Sequence, residues 1–180
     1  NGVTYTAPAR DMDGVLRPNP IATILDLGAY EHENGVGPYD GPVWYVNGAE
    51  ALPYGNGSVS APYSMIGSAM GSAEDGDTVH VAAATYVENI EFGGKNIAVI
   101  GADSSNTIID GGDAGTVVSF DATETTHGTT PVLKNFTLQN GKAENGGGIY
   151  IIYTHPEISF VTVKACSSGW GGGIHFGPGT

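Results

Sequence analysis

The stretch Leu133-Lys134-Asn135-Phe136-Thr137-Leu138, followed by Gly146-Gly147-Gly148-Ile149-Tyr150, returns as Ile158-Ser159-Phe160-Val161-Thr162-Val163 and Gly171-Gly172-Gly173-Ile174-His175. Leu133, Phe136, Leu138, the glycine triplet and Ile149 all recur at one offset of 25 residues. A fixed period in the twenties, with strand, turn and strand inside it, is the pattern of a solenoid whose repeats stack around one continuous apolar interior. Period-2 alternation and triple glycines exclude helical and leucine-rich repeats. The spacing predicts an inward set of Leu133, Phe136, Leu138, Ile149 and Ile151, with Ile158, Val161, Val163, Ile174 and Phe176 stacked on it.

Working outward, earlier repeats are less regular. Ile97 and Val99 match Phe136 and Leu138 only if the Thr-rich stretch Asp121–Thr130 is an insertion. Short Val-, Ile- and Phe-rich strands are expected at 78–82, 96–101, 107–110, 116–120, 131–140, 147–152, 157–166 and 172–176, with Gly-Gly, Asp-Gly and Asn-Gly corners between them. Trp44-Tyr45-Val46 reads as an earlier strand. Between them, Tyr63, Ile66, Ala69, Met70 and Ala73 recur at three and four, predicting one amphipathic helix over 61–74 with Ser60 as N-cap and Pro62 in its first turn. Residues 1–41, turn-rich and carrying one apolar run from Ile21 to Tyr30, read as a separate extended segment, and 42–180 as the solenoid.

Composition narrows the function. The chain has 180 residues, 29 of them Gly, with 40% apolar content, enough for one domain with a real core and unsuited to a helical bundle. Six Lys and Arg against 19 Asp and Glu give a net charge of −13, which argues against a nucleic-acid partner. No apolar run is long enough for a membrane span. The single cysteine, Cys166, permits no intrachain disulfide and reads as a small apolar residue at a corner. Acidity with little lysine suits a secreted or surface-exposed protein, and a start at Asn1 suggests a processed or excised piece.

Asp75-Gly76-Asp77-Thr78-Val79-His80-Val81, Thr85-Tyr86-Val87-Glu88-Asn89-Ile90, Gly94-Lys95-Asn96-Ile97-Ala98-Val99-Ile100-Gly101 and Thr107-Ile108-Ile109-Asp110-Gly111 follow one another in an order that resembles the opening coils of secreted right-handed parallel β-helix proteins of the pectin-lyase-like superfamily. The resemblance covers about residues 43–180 and implies an all-β, right-handed parallel β-helix with a short N-terminal capping α-helix. Asp11-Met12-Asp13-Gly14-Val15-Leu16-Arg17-Pro18 with Asp26-Leu27-Gly28-Ala29-Tyr30-Glu31 resembles the closing motif of bacterial surface β-helix passengers. Standing ahead of a fresh helix start, it implies either the end of a preceding β-helix or a segment that serves a neighbouring molecule.

Candidate sites follow from residue chemistry. Asp11 and Asp13 beside Gly14, and Asp110, Asp113 and Asp121 at one corner, are candidate calcium ligands, with Asx-turn chemistry as the alternative. Apart from calcium, no cofactor is expected. Tyr150, Tyr153, Trp170 and His175 form a candidate outward strip for sugar rings or another protein, or simply reflect strand propensity. A lyase of the fold implied by the resemblance needs a base beside carboxylates. The two arginines, Arg10 and Arg17, lie in the N-terminal segment, the lysines are scattered, and Glu144 and Glu157 are the only acids from 131 to 180. The apolar ends suggest assembly residues: Ile21, Ile24, Leu27 and Tyr30 at one, Ile174 and Phe176 at the other, where an uncapped solenoid needs a lid.

The expected function is therefore a secreted or cell-surface structural or adhesive module whose partners are copies of itself, joined head to tail into filaments. A polysaccharide-active lyase or hydrolase, or a fragment of one, and a calcium-dependent module binding extracellular polysaccharide are the alternatives.

Overall fold

A computed structural model of the chain describes residues 39–49, 55–122 and 130–180. These residues form thirteen strands and one helix: β1 (Val43–Val46), α1 (Ile66–Ser72), β2 (Thr78–Val81), β3 (Thr85–Val87), β4 (Ile90–Glu91), β5 (Ala98–Gly101), β6 (Ile108–Asp110), β7 (Val118–Asp121), β8 (Val132–Gln139), β9 (Lys142–Asn145), β10 (Ile149–Ile152), β11 (Glu157–Lys164), β12 (Ser167–Trp170) and β13 (Ile174–Phe176). The fold is β-dominated, with no closed barrel, and all the strand pairs are parallel. No helix among the described residues is long and apolar enough to cross a membrane.

Three sheets result. The largest runs β1-β2-β5-β8-β6-β3, with β11 beside β8; the second runs β13-β10-β7-β4; the third pairs β12 with β9. The sequence repeat is the register of the last strands: Leu133 pairs with Ile158, Phe136 with Val161, Leu138 with Val163, and Ile149 with Ile174. β8 bends at Asn135, whose φ of 64° is left-handed, so its first half pairs with β5 and its second with β6. Phe160 repeats that bend in β11 with φ 53°.

The core is built from buried rows of the two larger sheets. Leu133, Phe136, Leu138 and Ile149 are fully buried, joined by Val79, Val99, Ile109 and Phe120. Phe92 stacks on Phe120 with ring centroids 4.4 Å apart. Each such side chain contributes roughly 1.5–3 kcal/mol against the entropy of ordering it.

The helix is shorter than its periodicity predicts, spanning Ile66–Ser72 with Met65 rather than Ser60 at its N-cap. Residues 61–63 are used by strand-like pairing instead: Ala61 bridges Ser58, and Tyr63 bridges Val46. Seven residues cannot hold a helix in water, and later residues supply the caps. The Glu88 carboxylate accepts the Ile66 and Gly67 N–H groups, each at 2.9 Å. The Lys95 ammonium donates to the Met70, Gly71 and Ala73 carbonyls at 2.7–3.0 Å. A carboxylate at the positive end and an ammonium at the negative end also match the helix dipole.

α1 packs against β1, β2 and β4. The outer edge of β1 is also taken: the Tyr45 N–H donates to Gly57 O, the Tyr63 N–H to Tyr45 O and the Asn47 N–H to Tyr63 O, all at 2.8–2.9 Å. This end of the β-rich unit is closed.

Candidate functional site

The opposite end is open. Among the described residues no strand pairs with the outer edges of β11, β12 or β13. Their inward row continues the buried ladder yet meets solvent: Ile158, Val161 and Val163 are half-buried, Ile174 is 43% exposed and Phe176 64%. A cleft of about 780 Å³ lies here, lined by Ile151, Thr154, Pro156, Ile158, Ile174 and Phe176 among others. Phe160 and Trp170, both about 70% exposed, add apolar surface to the same repeat. Together they form an exposed apolar surface of the kind that marks a contact surface.

Of the candidate strip, the structure brings together Tyr150 and His175. They are register partners on β10 and β13, their rings stacked at 5.6 Å and 27°. Trp170 lies on another sheet, in β12 opposite Asn145, and Tyr153 follows β10 at a left-handed corner with φ 54°. A second pair of the same kind escapes the sequence pattern. Tyr45 and His80 are register partners on β1 and β2, stacked at 5.8 Å and 28°, beside a cleft of about 320 Å³ that Asn47, Val59, Pro62 and Ile100 also line. The sequence of residues 47–62 lacks the period that would have revealed it.

The candidate carboxylates behave as turn residues. Asp110 accepts from Gln139 Nε2 at 2.7 Å, Asn140 Nδ2 at 2.9 Å and the Gly112 N–H at 3.0 Å. The Gln139 amide foremost, then the Gly112 N–H, holds its carboxyl below the usual carboxylate range. Asp113 occupies a left-handed turn with φ 57°, and Asp121 ends β7. No three His, Cys, Asp or Glu side chains converge among the described residues. Asp103 makes a second such turn, and its carboxyl is likewise lowered, chiefly by the Asn106 side chain.

Lys95 caps α1, and Lys134 lies 5.6 Å over the Phe160 ring. Cys166 is half-buried; its thiol donates to Lys164 O and accepts the Gly141 N–H. Asp11, Asp13, Ile21, Ile24, Leu27 and Tyr30 lie outside the described residues. Comparison with protein-family models, with curated proteins and with solved structures returned no match.

Proposed function

We propose that the chain is a right-handed β-helix module of the pectin-lyase-like kind, secreted or held at a cell surface, with a structural or adhesive role fulfilled by head-to-tail association of copies. The observation that supports this reading is the asymmetry of the described unit: one end is closed by α1 and residues 57–63, while at the other the outer edges of β11, β12 and β13 have no partner strand among the described residues and an apolar row meets solvent. A contact between unlike surfaces propagates, whereas a self-complementary one stops at a dimer. Negative-stain microscopy of the purified chain, with its mass measured in the same sample, tests the reading. Filaments are expected, and removal of residues 1–41 should leave dispersed particles. Filaments from the truncated chain would overturn the role given to that segment.

A second reading, glycan binding, draws on the two stacked Tyr–His pairs, whose flat faces suit sugar rings. Retention on polysaccharide columns, with and without a calcium chelator, separates it from the first.

A further inference from the structure

We infer that Asn47 is a site of spontaneous covalent modification: its side-chain amide is attacked by the Gly48 backbone nitrogen, loses ammonia and ends as aspartate or isoaspartate. The site needs no partner molecule other than water, so it is independent of the assembly and glycan readings.

Asparagine followed by glycine closes such a ring most readily, because glycine has no Cβ to crowd its nitrogen. That nitrogen must give up its proton to attack. A glycine N–H bonded to a carbonyl inside a rigid frame is therefore protected, and one loosely bonded at an exposed turn is not. Four Asn–Gly pairs fall among the described residues: Asn47–Gly48, Asn56–Gly57, Asn140–Gly141 and Asn145–Gly146.

Three of them are locked. Gly57, Gly141 and Gly146 are buried, whereas Gly48 and Ala49 are exposed. The Gly57 N–H donates to Ala61 O at 3.0 Å, and a Cβ on Gly57 would lie 2.6 Å from the rings of both Trp44 and Tyr63. The Gly146 N–H donates to Trp170 O at 2.9 Å. Asn140 is tied by its own side chain, whose Nδ2 donates to Asp110 at 2.9 Å, and a Cβ on Gly141 would fall on the Gly147 carbonyl. None of these glycines has room to turn its nitrogen toward the preceding side chain.

Gly48 is held differently. Its N–H reaches the Tyr86 hydroxyl at 3.3 Å, beyond the ordinary range of an N–H···O bond. The electrophile is already placed: Asn47 Oδ1 accepts the Ala49 N–H at 3.1 Å, a donor for the charge that develops on that oxygen when the nitrogen attacks. Asn56 makes the same kind of bond to the Ser58 N–H at 3.0 Å, so it is the glycine that ranks the two sites.

In the reaction the Gly48 N to Asn47 Cγ bond forms, the Cγ–Nδ2 bond breaks, and ammonia carries away the amide proton. Water then opens the five-membered ring at either carbonyl. Both products put a new carboxylate on a residue that lines the same cleft as Tyr45 and His80. Isoaspartate also lengthens the main chain by one carbon within the residue whose N–H donates to Tyr63 O, at the edge where residues 57–63 meet β1.

Incubating the full chain in mildly alkaline heavy-oxygen water, followed by peptide mapping in a mass spectrometer, tests this, because ring opening incorporates the label. In the folded chain Asn47 should take up label several times faster than Asn56, Asn140 or Asn145, and in urea the four rates should converge. Any of those three reacting as fast as Asn47 in the folded chain overturns the inference. So does an Asn47 that stays unlabelled when folded but reacts in urea. Isoaspartate should accompany aspartate at Asn47; aspartate alone would mean direct attack by water and would overturn the route through Gly48.

Discussion

The repeat around β8–β10 and the repeat around β11–β13 trace the same backbone in register, yet their side chains live in different surroundings. At the left-handed bends the first places Asn135 and Asn140, the second Phe160 and Ala165. Asparagine tolerates that conformation and here also works: Asn135 Nδ2 donates to Gly101 O and Asn140 Nδ2 to Asp110. Phenylalanine and alanine have no such bond to make. Backbone register is therefore imposed by the parallel ladder beneath, and a repeat can be copied even where its own residues fit the bends poorly.

The sharpest way to break the comparison is to cut the same side chain from both repeats. Ile149→Ala removes a fully buried residue and should cost about 2–5 kcal/mol in urea denaturation. Ile174→Ala, at the matching but exposed position, should cost less than about 1 kcal/mol in the monomer. Equal losses would mean that the last repeat is packed as tightly as the one beneath it.

Glycine substitution gives the next largest contrast. Gly148→Ala forces a Cβ onto the Gly173 carbonyl and should destabilise by about 1–3 kcal/mol. Gly173→Ala should be neutral or stabilising by up to about 1 kcal/mol.

Restoring the inner repeat's solution to the outer one sharpens the lesson about bends. Ala165→Asn, which copies Asn140, should raise the melting temperature by a few degrees, equivalent to about 1 kcal/mol at a φ of 52°. A fall would show that the bend is not strained by alanine.

The smallest effect is electrostatic. The Asp110 carboxyl titrates lower in the folded chain than unfolded, so its contribution is complete above the unfolded value near ~4 and is lost as pH falls through the folded one. The stability gap between wild type and Asp110→Asn should therefore be constant at neutral pH and shrink below about pH 4, being modest throughout because the group is only partly buried.

Much of this was legible in the chain. The period-25 ladder gave register and inward face together, since Leu133, Phe136, Leu138 and Ile149 alternate apolar with polar neighbours and are all buried. The short strands β3, β4, β9 and β12 were not. Lys142–Asn145 and Ser167–Trp170 have no apolar alternation and are strands because the ladder on either side fixes their path. The helix start was misread because Ala61 and Tyr63 carry helical spacing but are used in pairing with Ser58 and Val46. Of the site, the apolar open row and the Tyr150–His175 pair followed from the repeat. The Tyr45–His80 pair and the clamps on α1 depend on contacts between distant residues that no local pattern encodes.

Those clamps set an order of events. Ile66 waits for a carboxylate 22 residues downstream, and Met70 for an ammonium 25 residues downstream. A nascent chain has synthesised all of α1 well before either partner exists, and a helix this short does not persist alone. α1 is thus settled only once Glu88 and Lys95 are in place, and in refolding its far-ultraviolet signal should arrive with the tertiary signal rather than ahead of it.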